Sequence, residues 1–135
     1  MHNRYNSHGD FKIEIDKDVI VIDAWGPWNQ EFFTQFHQQL YTVVHQLTVD
    51  IYGALVVIHG QGLPVNDAID EHIAFLSQGN VTALAVDLSC CSTAGLSQDV
   101  FSKIYTQSKL NFKFFDDNQA AKAWLAQQLS AAQSE

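Results

Sequence analysis

"GALVVIH" (Gly53–His59) is a nearly unbroken apolar run with a β-branched centre, Val56, Val57 and Ile58. A strand with one wet face alternates apolar and polar side chains. A run without alternation belongs in the middle of a sheet, covered on both sides, which is the habit of parallel strands flanked by helices. Before it, "NQEFFTQFHQQLYTVVHQL" (Asn29–Leu47) has another period. Phe32, Phe36, Leu40, Val43, Val44 and Leu47 recur three or four residues apart, as on one helix face, with Asn29 as N-cap and Glu31 at the positive end. Earlier still, "FKIEI" (Phe11–Ile15) alternates, "DKD" (Asp16–Asp18) turns, and "VIVIDAW" (Val19–Trp25) supplies a second strand before "GPW" breaks it.

After Gly53–His59, "GQGLP" ends the strand and Asn66–Ser77 reads as a second helix with Asp67, Asp70 and Glu71 near its start. "VTALAVDL" (Val81–Leu88) is another buried strand. A third helix is expected within Thr93–Gln107, with Leu96, Val100, Phe101 and Ile104 facing inward. "NFKFF" (Asn111–Phe115) is the last strand, and "DNQAAKAWLAQQL" (Asp117–Leu129) a closing helix capped by Asp116 or Asp117. The order ββαβαβαβα predicts an α/β domain: a mixed β-sheet of about five strands with a parallel centre, and four helices packed on it.

Composition bounds the rest. A chain of 135 residues with 47% apolar content makes one domain, expected over residues 10–130, between a flexible segment at 1–9 and a flexible tail at 131–135. A net charge of −8 and the lack of a basic run argue against nucleic acid and anionic membrane surfaces. No apolar stretch approaches about 20 residues and no signal-type segment opens the chain, so membrane insertion is not expected and the location is expected to be cytoplasmic. The two neighbouring cysteines, Cys90 and Cys91, cannot staple distant segments and suit a reducing compartment.

The closing "FKFFDDNQAAKAWLAQQL" (Phe112–Leu129) carries a strand ending in Phe-Asp and then a helix with Ala-x-x-Trp-Leu. It resembles the end of SpoIIAA-like proteins of the STAS/SEC14 type. "VTALAVDL" and the opening "FKIEIDKDVIVIDAWGPW" occur in the same order as in that family, so the resemblance spans about Asp10 to Leu129. It implies a small α/β sandwich, non-enzymatic, used for binding and regulation, with lipophilic ligands among relatives. Trp124 and Leu125 would fix the closing helix to the sheet.

STAS antagonists carry Asp-Ser-Ser-Gly-Leu, with a phosphate-accepting serine at a helix start. "STAGL" (Ser92–Leu96) looks similar, with Ser92 and Thr93 as the candidate acceptors. Its register fails, because only one strand–helix unit follows it. The place where the motif would fall, Ile58–Asp67, holds no Ser or Thr. A partner-switching regulator is therefore the alternative within regulation. Outside it, the alternative is a small hydrolase or thiol enzyme with Cys90 or Cys91 as nucleophile and His59 as base. No Lys or Arg lies near those thiols to activate them, and no Gly-x-Ser-x-Gly turn exists. The chain therefore offers no catalytic set, no metal-ligand spacing and no cofactor fingerprint. Asp67, Glu71 and His72 could meet as an accidental metal site, but acidic residues in a first helical turn are explained more simply by the helix dipole.

The aromatic residues around the first helix carry the binding expectation. Trp25, Trp28, Phe33, His37, Tyr41 and His59 are the candidate ligand-binding residues. Phe33, His37, Tyr41 and His45 form a stripe beside the core face of that helix, and Phe33, His37 and Tyr41 are expected to turn away from the sheet. Such a stripe calls for cover, by a twin subunit in a homodimer first, and otherwise by an apolar small molecule or a protein partner.

Overall fold

The computed structural model describes residues 9–134, so the expected flexible segment at 1–9 lies almost wholly outside them. Strands β1 (Asp10–Asp16) and β2 (Val19–Trp28) form an antiparallel hairpin, turned at Lys17, whose backbone is left-handed at φ 58°. Helix α1 (Gln30–Val44), β3 (Gly53–Pro64), α2 (Asn66–Ser77), β4 (Ala83–Asp87), α3 (Ala94–Gln107), β5 (Phe112–Phe115) and α4 (Asn118–Gln133) follow. The sheet order is β1-β2-β3-β4-β5, parallel from β2 onward. The expected order of elements and the mixed sheet with a parallel centre are what is observed.

Local chemistry sets the boundaries. The Asn29 side chain accepts from the Phe32 amide at 2.9 Å and starts α1. Asp117 caps α4 by accepting from the Gln119 and Ala120 amides. Two strands outrun the expected stops. "GPW" bends β2 without ending it: the strand shifts register between Gly26 and Trp28, and Trp28 still pairs with Pro64 of β3. Glycine is required at 26, because a Cβ there would run into the Gln61 carbonyl. α4 also continues to Gln133, so residues 131–133 are helical where a tail was expected.

Helices α1, α2 and α3 cover one face of the sheet, and α4 covers the other over β3, β4 and β5. Alternation along β3 separates the two sides: Ala54, Val56 and Ile58 face the three helices, and Leu55 and Val57 face α4. Two expectations need correction. Leu96 is 55% exposed, and the buried side of α3 is Ser97, Phe101, Ile104 and Tyr105. Trp124 is half-buried against Phe115, while Leu125 is the residue at 1% exposure that anchors α4.

Candidate functional site

The three-helix side of the sheet is hollow. A cavity of about 620 Å³ lies between the inner faces of α1, α2 and α3 and the sheet side of β2, β3 and β4. Its floor is Ile20, Ile22, Ala54, Val56 and Leu84, and Trp28, Phe33 and Phe101 close its far end. Val56 shows the hollowness: it sits on the central strand under three helices, yet it is only half-buried. Tyr41, His45, Val49, Gln78 and Gly79, all exposed, line the entrance. Tyr41 lies in the last turn of α1 and the others in the segments after α1 and α2, so the entrance lies at the edge where β3 and β4 begin.

Buried polar groups in the helical wall pair with one another. His37 of α1 and His72 of α2 stack at 5.0 Å between ring centroids, and His37 Nε2 lies 2.8 Å from His72 Nδ1. His37 Nδ1 lies 3.4 Å from Glu71 Oε2. Burial lowers His37 to about 4, against the raising pull of Glu71. Burial and the neighbouring His37 lower His72 to about 3, so both rings are neutral at pH 7. Tyr52, also on the wall, donates to Asn80 Oδ1 at 3.0 Å. Tyr105 lines the wall too, and burial pushes its phenol pKa up.

The sequence candidates separate into two groups. Trp28, Phe33 and Tyr41 line the cavity, and His37 stands behind His72. Phe33 and His37, expected to face away from the sheet, are 2% and 7% exposed. α2 covers them within one chain, through His72 on Phe33 at 4.7 Å and Phe75 on His37 at 4.1 Å. Tyr41, at 60%, and His45 are the exposed residues of that stripe. The motive for a twin subunit thus disappears for Phe33 and His37. Trp25 and His59 lie apart, on the α4 side: the rings stack at 4.5 Å, and His59 Nε2 meets Asp23 Oδ1 at 2.9 Å. Tyr52 and Tyr105 are absent from the sequence candidates, and His72 is named there only beside Asp67 and Glu71, not as part of the cavity wall. His72 stands one helical turn after Ala68 on the inner side of α2, a signal that an acidic neighbourhood obscured.

The strand-end cluster is well bonded. Asp87, 1% exposed, accepts from the Ser89 amide and from Asn118 Nδ2. Burial raises its pKa, but those bonds outweigh burial and hold its carboxyl below the usual range. Thr93 Oγ1 accepts from the Gly62 amide at 3.2 Å and sits 2.9 Å from Ser97 Oγ, whereas Ser92 is exposed. Cys91 Sγ lies 3.4 Å from Ser97 Oγ and Cys90 is exposed. Burial raises the Cys91 pKa, but hydrogen bonds with Ser97 and Thr93 leave it below the usual thiol value. His59 bonds Asp23 and Cys91 bonds Ser97, so the structure does not join them as base and nucleophile. Among the described residues no group of three or more His, Cys, Asp or Glu is arranged to hold a metal, and no helix is long and apolar enough to cross a membrane.

The fold is SpoIIAA-like. A crystal structure from Shewanella loihica PV-4, of an uncharacterized protein from the DUF3478 family with a SpoIIAA-like fold, matches this chain with a TM-score of 0.63. The match covers 88% of this chain and 94% of that one at 19% sequence identity, which establishes shared architecture. No protein-family model and no curated protein matches the sequence.

Proposed function

We propose that this protein is a non-enzymatic binding domain that encloses an apolar small molecule between its sheet and helices α1, α2 and α3. The observation that carries the reading is the cavity of about 620 Å³, within the range of small-molecule sites. Protein interiors are normally packed with few voids larger than a water molecule. Apolar wall left facing solvent forfeits about 25 cal/mol for each Å² not buried, so a domain that keeps such a cavity gains from an apolar occupant. The wall suits an apolar body: Phe32, Phe33, Phe36 and Phe101 on the helices oppose Ile22, Val56 and Leu84 on the sheet.

Native mass spectrometry before and after organic extraction tests the reading. The expected result is an extractable mass retained by the folded chain, or uptake of a neutral dye such as Nile red by the stripped protein. A chain that carries nothing and takes up no neutral apolar probe would refute it. The same spectra report the oligomeric state.

A further inference from the structure

We infer that the occupant is a neutral lipophilic alcohol whose hydroxyl donates a hydrogen bond to His72 Nε2 inside the cavity. This rests on the reading of the cavity as a ligand site and adds the chemistry of the ligand.

The polarity of the site follows from a chain of three side chains. Glu71 accepts from Gln30 Nε2 at 3.3 Å and from Thr34 Oγ1 at 3.2 Å, as a carboxylate does. A lone pair on His37 Nδ1 facing that carboxylate at 3.4 Å would be repelled, so Nδ1 carries the proton. A neutral imidazole has one N–H, so His37 Nε2 is an acceptor. At 2.8 Å it must receive the proton of His72 Nδ1. His72 Nε2 is left with its lone pair. This tautomer is assigned from the network.

That nitrogen faces open space. No described residue bonds it, yet among the described residues no buried side-chain nitrogen or oxygen lacks a partner. His72 is 5% exposed and lines the cavity, so the space it borders is the cavity. Tyr105 repeats the argument: it is 3% exposed, lines the same wall, and no described residue bonds its hydroxyl. Phe101 separates the two, 6.4 Å from the His72 ring and 5.6 Å from the Tyr105 ring. The cavity thus offers one fixed acceptor and one rotatable hydroxyl.

Charge excludes the commonest lipids. Among the described residues that line the cavity there is no Lys or Arg. The entrance lies at the C-terminal ends of α1 and α2, which carry partial negative charge, beside Asp50. A carboxylate or phosphate would enter without a counter-charge and meet a lone pair at His72. A ketone or ester can accept from the Tyr105 hydroxyl but leaves the His72 lone pair without a donor. A hydroxyl fits both constraints.

The test is displacement of Nile red from the full chain by 1-dodecanol, cholesterol, dodecanoate and 2-dodecanone, in the wild type and in Glu71→Gln. The expected result is that an alcohol displaces the dye at about tenfold lower concentration than dodecanoate or 2-dodecanone, about the net value of one hydrogen bond. The tighter of the two alcohols assigns a chain or a fused ring. In Glu71→Gln the amide can donate to His37 Nδ1, so both rings can exchange tautomers. The alcohol-to-ketone ratio should then fall about tenfold, a readout that a general weakening leaves unmoved. Equal displacement by alcohol, acid and ketone overturns the inference and leaves the cavity reading standing. A ratio unchanged in Glu71→Gln overturns the relay. If Nile red and all four ligands fail to bind, the cavity reading falls and the inference with it.

Discussion

One sheet presents two faces that were built differently. Towards α4, Ala83, Ala85 and Ala121 are fully buried, and Leu55 and Leu125 fill what the small residues leave. Small side chains on both surfaces let the helix sit close. Towards α1, α2 and α3, large aromatics line the helices, yet their rings surround a space. Phe32, Phe36 and Phe11 brace one another edge-on and stacked at 5.4–5.8 Å, as do Trp28 and Phe101 at 5.8 Å. Aromatic walls that support each other can stand around a void, and small residues cannot. The contrast is one of packing: the α4 face is filled, and the three-helix face keeps the space on which the proposed binding function rests.

Acid should give the largest effect, because two groups titrate together on the aromatic side. His37 and His72 have folded pKa values of about 4 and about 3, below the ordinary 6.5. Between these values and 6.5 the unfolded chain binds more protons than the folded one, so stability falls as pH falls. It is full above about 6.5 and declines towards 3–4. Urea midpoints at pH 7 and 4.5 measure the slope, and His37→Gln with His72→Gln should flatten it. An equal slope in the variant would mean that the rings are not held neutral in the fold.

On the dense face, Leu125→Ala should cost about 2–5 kcal/mol in urea unfolding, the usual range for a fully buried leucine. Trp124→Ala, on the neighbouring half-buried position, should cost only about 1–2 kcal/mol. A reversal of that order would return the anchoring role to the tryptophan. Ala85→Leu forces three extra carbons between β4 and α4 and should cost about 1–3 kcal/mol. A neutral result there would mean that α4 yields, and the two faces would be less different than their packing suggests.

The topology was legible because its signals are local. The unbroken run in β3, the three-four spacing in α1 and the Asn29 and Asp117 caps each act over a few residues. The hollow was not legible. Phe33, Val56 and Phe101 give the same apolar pattern whether their neighbours touch or stand apart, since periodicity reports a direction and not a distance. Phe33 and Tyr41 were placed on one stripe by helical spacing, but α2 reaches only far enough to cover Phe33 and His37. The His37–His72 pair joins residues 35 apart in the sequence on separate helices. Such a contact is made by tertiary packing, so neither histidine announces the other.

The smallest change in stability should come from Ala54→Leu, and it discriminates most sharply. Ala54 is adjacent to Leu55 in β3 but points to the opposite side, between Ile20 and Leu84 in the sheet register. It is 8% exposed and lines the cavity floor. The substitution adds the same three carbons as Ala85→Leu, on the other face of the same sheet. Against close packing they would force strain. Against a void they find room and gain contacts, so the change in stability should stay within about 1 kcal/mol of zero, or favour the variant. The same carbons fill part of the cavity, so Nile red binding should weaken while the fold persists. A loss of about 1–3 kcal/mol with unchanged dye binding would make this face as tightly packed as the α4 face. A near-neutral stability with weakened binding is the combination that only a hollow face can produce.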